Sequence, residues 1–310
     1  MSDLSTPISS GPPVEPPPPQ QSIFRGPDGI RAGWRIAIYL ALTALVAFLL
    51  LLMAGRFARG RNVQVTQLTP LGTMLSEAGI LVTAALPALI MARIERRKFG
   101  DYGLPASSMF GRNFWIGLVV GFVSISGCLL GIYAFGGFHI TGPAIRGDTI
   151  PAATATWAVA FLLVGLAEEF SFRGYLQFTL TTGIGFWPAA FVLSALFGIA
   201  HAGNPGESKA GLLSVVLFGL LFCLFLRRTG NLWWAVGFHA GWDWGQTFFY
   251  GVPDSGMAAY RNLFHCAFSG PRWLTGGTVG PEASVFTPIV LGIVAVAFSR
   301  VYRESRYRPH

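Results

Sequence analysis

Long apolar stretches constrain the fold of this chain more than any other feature of its sequence. Several run for about 18 residues or more, enough for a helix to cross about 30 Å of hydrocarbon. In lipid, a spanning segment must satisfy its backbone polar groups internally, which favours helices. Charged residues make up 12% of the chain, against roughly 25% in soluble domains. The sequence therefore predicts an all-α, polytopic transmembrane helical bundle.

Eight apolar segments fit such spans, with Gly, Pro and charged residues between them. The predicted spans are approximately residues 34–54, 71–92, 114–135, 155–179, 186–201, 211–226, 232–250 and 284–299. Three regions follow from this division. They are a disordered, Pro-rich cytoplasmic tail at 1–30, a transmembrane domain at 31–300 with a motif core at 155–250, and a basic C-terminal tail at 301–310.

The net charge of +8 reflects topology better than nucleic-acid binding, because the basic residues cluster at the ends of apolar segments. Fourteen lie on the side of the termini: Arg25, Arg31, Arg35, Arg93, Arg96, Arg97, Lys98, Arg112, Arg227, Arg228, Arg300, Arg303, Arg306 and Arg308. Seven lie on the other side: Arg56, Arg59, Arg61, Arg146, Lys209, Arg261 and Arg272. The positive-inside rule therefore predicts that both termini are cytoplasmic, in what we expect to be a bacterial plasma membrane.

Several residue types carry no predicted chemistry. The three cysteines lack CxxC spacing, which argues against a disulfide framework or a thiolate zinc site. Glu77 is expected to face the bundle or the membrane interface, and His139 to be a solvated loop residue. The Gly- and Pro-rich loop 251–283, which contains His265, is predicted to have no catalytic role.

A charged hexapeptide, Glu168 to Arg173, follows an apolar stretch that starts at Trp157. Charges at membrane depth cost about 2.5–3.5 kcal/mol each on translocon scales, so they persist where they have partners or face water. Glu169 and Arg173 stand at i and i+4 in the favourable acid-first order and can neutralise each other. Glu168 points about 100° away and needs a partner from another segment. It is a candidate general base.

Two later motifs offer such partners. His201 closes an apolar helix one turn after Phe197, and His239 stands one turn before Asp243 on one helix face. Amide hydrolysis needs an activated water and a stabilised oxyanion, which imidazole and carboxylate groups provide through a metal or directly. Two histidines and two carboxylates suit zinc better than calcium or magnesium. The sequence leaves open whether His201, His239 and Glu168 bind a metal.

These motifs resemble the CAAX prenyl protease and bacteriocin-processing (CPBP, or Abi) family of intramembrane proteases. The pattern is EExxxR at Glu168–Arg173, FxxxH at Phe197–His201 and HxxxN/D at His239–Asp243, in that order on successive spans. The soluble zinc-protease motif HExxH and the serine-hydrolase motif GxSxG are absent from the sequence.

The resemblance implies a hydrolase: a bundle of about eight spans around a cavity that admits a peptide from the membrane or its cytoplasmic edge. It implies a metalloprotease or a metal-free glutamate mechanism. Asp243 stands where eukaryotic prenyl-protein proteases typically carry Asn, and a carboxyl group donates to an oxyanion only when protonated. The implied roles are Glu168 as base, His201 and His239 as water or metal residues, Asp243 on the oxyanion side, and Glu169, Arg173 and Phe197 in support.

We therefore expect an intramembrane endopeptidase that cleaves membrane-associated or prenylated peptides or proteins. The lipid bilayer and a peptide substrate are its expected partners, and nucleic acid is not. The alternative is a catalytically silent membrane scaffold or bacteriocin-immunity protein. A weaker alternative is a transporter whose buried charges mark an ion path, although the spans show no inverted repeat.

Overall fold

A computed structural model describes residues 23–26, 29–58, 67–204 and 206–308. Most of the predicted Pro-rich tail at 1–30, the basic residues Arg59 and Arg61, and the last two residues of the predicted C-terminal tail lie outside the described residues.

Helices dominate the described chain, which confirms the prediction of an all-α polytopic bundle. Five helical stretches are long and apolar enough to cross a membrane within the described part: Ala32–Arg56, Pro70–Ile94, Arg112–Ala134, Thr149–Ile184 and Lys209–Thr229. Phe186–His201 and Phe286–Val301 are shorter apolar helices. The total of eight spans stays a prediction. The α-helices are α1 Ala32–Ala58, α2 Pro70–Ile94, α3 Arg112–Ala134, α4 Thr149–Arg173, α5 Tyr175–Ile184, α6 Phe186–His201, α7 Lys209–Thr229, α8 Trp233–Asp243, α9 Arg272–Thr275 and α10 Phe286–Val301.

The predicted span 155–179 is not one continuous helix. α4 ends at Arg173, and α5 begins at Tyr175. Between them Gly174 has φ −80° and ψ −126°, which is not a helical conformation. A Cβ there would also overlap the carbonyl of Phe170. The glycine therefore ends α4 directly after the charged hexapeptide.

The predicted span 232–250 also changes character along its length. α8 ends at Asp243 and continues as a π-helix at Trp244–Phe249. Such π-helical segments are rare and occur often at functional sites.

Short strands occur in the predicted disordered tail and in segments that the sequence predicts as loops. β1 (Arg25–Gly26) and β2 (Gly29–Ile30) form an antiparallel pair before α1. β3 (Phe138–Pro143) pairs antiparallel with β4 (Phe264–Phe268). His139 lies opposite Ala267, and His265 lies opposite Gly142.

Both described ends of the chain meet at one face of the bundle, which we call the terminal face. Arg35, in the first turn of α1, forms an ion pair with Glu95 at the end of α2. The backbone N–H groups of Arg306 and Tyr307 donate to the carbonyl of Arg227, at the end of α7. Tyr307 then packs on Phe178 and Phe186.

The other end of the bundle, which we call the opposite face, joins the start of α2 to the loop that follows the π-helix. The N–H of Leu68 donates to the carbonyl of Ala258, and the N–H of Tyr260 donates to the carbonyl of Leu68. The hydroxyl of Thr278 donates to the carbonyl of Gly206, just after α6.

α3 and α8 pack backbone to backbone through four glycines. A Cβ at Gly117 or Gly121 of α3 would overlap the carbonyls of Trp234 and Phe238. A Cβ at Gly237 or Gly241 of α8 would likewise overlap carbonyls of α3. The pairs are four residues apart on each helix, the small-residue spacing that permits close helix contact. This packing fixes the helix that carries His239 and Asp243.

Candidate active site

A cavity of about 1040 Å³ opens between α2, α4, α6, α7 and α8, next to the loop 251–283. One side is apolar and includes Phe161, Val164, Phe172, Val215 and Phe218. The polar side gathers four of the predicted site residues, Glu168, His201, His239 and Asp243, and Phe197 also lines the cavity.

Glu168 lies between the two histidines. Its Oε2 is 3.5 Å from Nε2 of His239 and 3.9 Å from Nε2 of His201. The three side chains are 23%, 12% and 16% exposed, respectively, so each reaches the cavity. They come from α4, α8 and α6, respectively. The fold therefore brings together three side chains that are spread over about 70 residues of the sequence.

Hydrogen bonds turn both imidazoles the same way. Nδ1 of His201 is 2.9 Å from the carbonyl oxygen of Phe197, and Nδ1 of His239 is 3.0 Å from Oε1 of Glu169. Because each partner is an acceptor, Nδ1–H of each ring donates to it, and Nε2 of each ring faces the cavity. The two Nε2 atoms therefore flank the Glu168 carboxylate, an arrangement that suits a shared proton, a water or a cation.

Glu169 and Arg173 form the predicted pair, with Nη1 of Arg173 3.4 Å from Oε1 of Glu169 and both side chains fully buried. The same Glu169 oxygen also accepts from His239. The Arg173 guanidinium lies 4.2 Å from the centroid of Phe197, whose ring packs edge-on against His201. The pair thus connects to both histidines.

Asp243 has two sets of neighbours. Its Oδ2 is 3.4 Å from Nε2 of His239. One oxygen of Asp243 also lies within 4.8 Å of oxygens of Asp254 and Glu282. We call Asp243, Asp254 and Glu282 the acidic wall. No Lys or Arg lines the described cavity beside it.

Asp254 and Glu282 show that the loop 251–283 lines the cavity, although the sequence predicts no chemistry for this loop. Thr247 donates to Asp254 at 2.7 Å, and the N–H and hydroxyl of Ser255 donate to Glu282 at 3.0 and 3.1 Å. Burial and the charge of neighbouring Asp254 together raise the pKa of Glu282 to about 8. Burial likewise raises the pKa of Asp254. No period or motif in the sequence marks either residue.

Glu77 also lines the cavity, from the second turn of α2. Its Oε2 is buried without a hydrogen-bond partner among the described residues. The sequence places Glu77 toward the bundle or the membrane interface, and the structure locates it in the cavity. His139 and His265 lie outside the cavity lining, in the β3–β4 pair.

The donor set can be compared with the needs of a zinc ion. Both histidines have the Nδ1 hydrogen bonds that orient metal-binding imidazoles. A ligand set of two imidazole nitrogens and the Glu168 carboxylate also suits zinc. Neighbouring ligand atoms in a tetrahedral zinc site lie about 3.4 Å apart, close to the measured 3.5 and 3.9 Å. Within the described residues, however, three ligand atoms all within 4.8 Å of one another occur in the acidic wall. The donor chemistry fits zinc, and the assignment stays a prediction.

Residues 150–245 match the family model described as Rce1-like, type II CAAX prenyl endopeptidase Rce1-like. The match covers the span from the start of α4 to just past α8 and includes all three motifs. It confirms the resemblance to the CAAX prenyl protease family. A comparison with curated proteins finds no match.

Proposed function

We propose that this chain cleaves peptide bonds with a water activated by Glu168, because residues 150–245 match the Rce1-like type II CAAX prenyl endopeptidase model. The expected substrates are membrane-associated or prenylated peptides or proteins. One observation carries the proposal. Glu168, His201 and His239 converge from three helices on a cavity of about 1040 Å³ with an apolar side.

Glu168 is placed to accept the proton of a water held between its carboxylate and the Nε2 atoms of His201 and His239. The resulting hydroxide attacks the scissile carbonyl, and Glu168 passes the proton to the leaving amine nitrogen. A general base must have a carboxylate oxygen that is free to accept a hydrogen bond from water. Glu168 meets this requirement, because no described protein group donates a hydrogen bond to it.

His239 is suited to stabilise the tetrahedral intermediate. Glu169 holds its Nδ1–H, so Nε2 can take up a proton and then donate to the oxyanion. Asp243, 3.4 Å from that Nε2, stabilises the charged ring. A zinc ion held by His201, His239 and Glu168 would supply Lewis-acid polarisation and a more acidic water.

The test is cleavage of a peptide panel, including prenylated C-terminal peptides, by protein reconstituted in liposomes. Wild type is compared with Glu168→Ala and His201→Ala, each with chelator and with zinc restored. We expect cleavage by wild type and its loss in both variants. Chelator sensitivity reversed by zinc would favour the metal route.

Full cleavage by Glu168→Ala would overturn the proposal. If the wild type cuts nothing, a complementation assay with Glu168→Gln separates the alternatives. A scaffold or immunity protein should tolerate this substitution, because the overall shape and packing are retained.

A further inference from the structure

Six arginines meet on the terminal face, where α7 and α10 end, and we call them the arginine cluster. They are Arg227, Arg228, Arg300, Arg303, Arg306 and Arg308. The segment after α10 brings them together, because it folds back across the end of α7. The backbone N–H groups of Arg306 and Tyr307 donate to the carbonyl of Arg227, and Nη1 of Arg228 donates to the carbonyl of Arg303. The buried ring of Tyr307 anchors the segment in this position.

The arginine cluster has no counter-charge from the protein among the described residues. The ion pairs that join arginines to carboxylates there involve Arg35, Arg97 and Arg173, and none of the six clustered arginines. Glu304 is the single carboxylate in the segments 227–229 and 300–308, and it is exposed. Like charges gathered in this way repel one another, so an anion beside them is stabilised.

Most guanidinium N–H groups of the cluster also lack a protein acceptor within the described part of the chain. Each guanidinium carries several donors, of which Arg228 and Arg303 use one each, on the carbonyls of Arg303 and Arg300. Nε of Arg228 is buried and has no hydrogen-bond partner in the described structure. The end of α7 does not occupy these donors, because the carbonyls of Leu226 and Arg227 already accept from backbone N–H groups. Planar guanidinium groups with unused donors suit a phosphate group, which they bind in a bidentate manner.

The arginine cluster lies at the level where the hydrocarbon of a membrane meets its polar surface. α7 is apolar and long enough to cross a membrane, α10 is a shorter apolar helix, and each has arginines in its last turn. Trp187 and Val301 expose apolar surface beside these arginines. The Arg227 guanidinium lies 5.0 Å from the ring centroid of Phe186 and 5.6 Å from that of Trp187. Tryptophan is typical of the membrane interface, where long arginine side chains reach the headgroups.

We infer that the arginine cluster binds the phosphate group of an anionic membrane phospholipid. A soluble phosphate compound would match the guanidinium donors alone, whereas a lipid also matches the exposed apolar surface of Trp187 and Val301. Basic pockets between transmembrane helices bind anionic headgroups in this way. The phosphate reduces the repulsion among the arginines and holds the start of α6 at Phe186, the helix whose last residue is His201. This lipid site does not depend on the proposed proteolysis.

Native mass spectrometry of the full-length protein, released from detergent micelles, measures lipid binding. The probes are phosphatidylglycerol, which is anionic, and phosphatidylcholine, which is zwitterionic and carries the same acyl chains. Arg303→Gln/Arg306→Gln removes two exposed guanidinium groups of the cluster, while the backbone groups that fasten the segment to α7 remain. The matched control is Arg93→Gln/Arg112→Gln, which removes two exposed arginines outside the cluster, in the last turn of α2 and at the start of α3.

We expect the wild type to bind phosphatidylglycerol more tightly than phosphatidylcholine. An arginine beside an anionic lipid contributes about fivefold in affinity, so the cluster variant should bind phosphatidylglycerol about 25-fold more weakly. The control variant should bind it as the wild type does. Equal weakening in the two variants would overturn the inference, because binding would then follow total charge. Equal affinity of the wild type for the two lipids would also overturn it.

A second arm distinguishes a lipid from a soluble phosphate compound. Glycerol 3-phosphate carries the phosphate of the headgroup without acyl chains, and in excess it should leave phosphatidylglycerol bound to the wild type. Displacement of the lipid by an equal concentration of glycerol 3-phosphate would contradict a lipid site.

Thermal unfolding in micelles gives an independent measurement of the same site. A ligand that binds only the folded state stabilises it, so phosphatidylglycerol should raise the Tm of the wild type and of the control variant more than that of the cluster variant. Equal Tm values of the three proteins without lipid would show that the substitutions leave the fold intact. An equal rise in all three with lipid would overturn the inference.

Discussion

Two carboxylates in this bundle, Glu95 and Glu168, have opposite surroundings. Glu95 accepts hydrogen bonds from Arg35, from Tyr102 at 3.0 Å and from Tyr175 at 2.5 Å. Glu168 accepts none among the described residues, and its nearest polar neighbours are imidazole nitrogens at 3.5 and 3.9 Å. Glu95 is closed off at the terminal face, whereas Glu168 faces the cavity.

The difference distinguishes a structural charge from a reactive one. Buried polar groups in folded proteins are normally satisfied, and Glu95 follows this rule with donors from α1, α5 and the turn after α2. A catalytic base has to keep its lone pairs for water and substrate, so unsatisfied polar atoms in a cavity indicate function. Substitutions at the two positions should therefore affect different properties.

The largest effect is expected at Glu168. Glu168→Gln removes the proton acceptor and should lower the cleavage rate by about 10²–10⁴-fold. Its thermal stability should change little, because the carboxylate has no hydrogen bond to lose. Both are measured on the same liposome and micelle preparations. A marked loss of thermal stability in Glu168→Gln with no change in the cleavage rate would mean that Glu168 has a structural role and not a catalytic one.

Glu95→Gln should have the reverse effect. The Arg35 side chain is only 9% exposed, and removing its anionic partner leaves a buried charge uncompensated. Breaking such a pair typically costs about 3–5 kcal/mol. Unfolding in mixed micelles should show this loss, while cleavage per folded molecule stays at the wild-type value. Glu304→Gln, at an exposed site, is the matched control and should be neutral.

Glu282 sharpens the comparison through its pH dependence. Burial raises the pKa of Glu282 to about 8 in the folded protein, so the folded state holds a proton that the unfolded chain releases near its ordinary value of 4.5. Stability due to this group is present below pH 4.5 and falls as pH rises through about 8. Between pH 6 and 9 the loss should be about 2–3 kcal/mol, as linkage gives for a pKa of about 8 in the folded state and 4.5 in the unfolded state.

Glu282→Gln should flatten this alkaline decline, which unfolding curves at several pH values would detect. The matched control is Glu304→Gln, which should leave the decline intact. An unchanged pH dependence in Glu282→Gln would show that the acidic wall does not retain a proton.

The smallest effect is expected from the hydroxyl groups around Glu95. Tyr102→Phe removes one hydrogen bond of 3.0 Å and should cost about 1 kcal/mol of unfolding free energy. The same change at exposed Tyr133 should be neutral. A cost in Tyr102→Phe equal to that of Glu95→Gln would mean that the hydroxyl, rather than the Arg35 pair, dominates the network.

The spacing of residues along the sequence predicts part of the fold and of the candidate site. The remaining features depend on contacts between residues that are far apart in the sequence. The spacing of Glu169 and Arg173 predicts their pairing on one helix face, and the structure has them 3.4 Å apart. The order of the three motifs predicts a shared cavity. The catalytic roles of these residues stay predictions.

Other features depend on residues that are distant in the sequence. Arg35 and Glu95 are 60 positions apart, so no helical or strand spacing in the sequence predicts that they form an ion pair. Asp254 and Glu282 lie in a loop with no helical or strand period, so only the folded loop shows that they meet Asp243. The end of α4 at Gly174 depends on a backbone conformation that a hydropathy pattern does not encode.

The glycine contact between α3 and α8 sets a mechanical limit on the site. Four glycines bring the two backbones together, so no side chain between them can change rotamer to let α8 slide or tilt. The contact of α8 with α3 therefore holds His239 and Asp243 in place. Of the other elements that line the cavity, α2 and the loop 251–283 are joined to each other by backbone hydrogen bonds at Leu68, so we expect them to move together when the cavity widens to admit a peptide. Substrate entry and loop movement should therefore be one event.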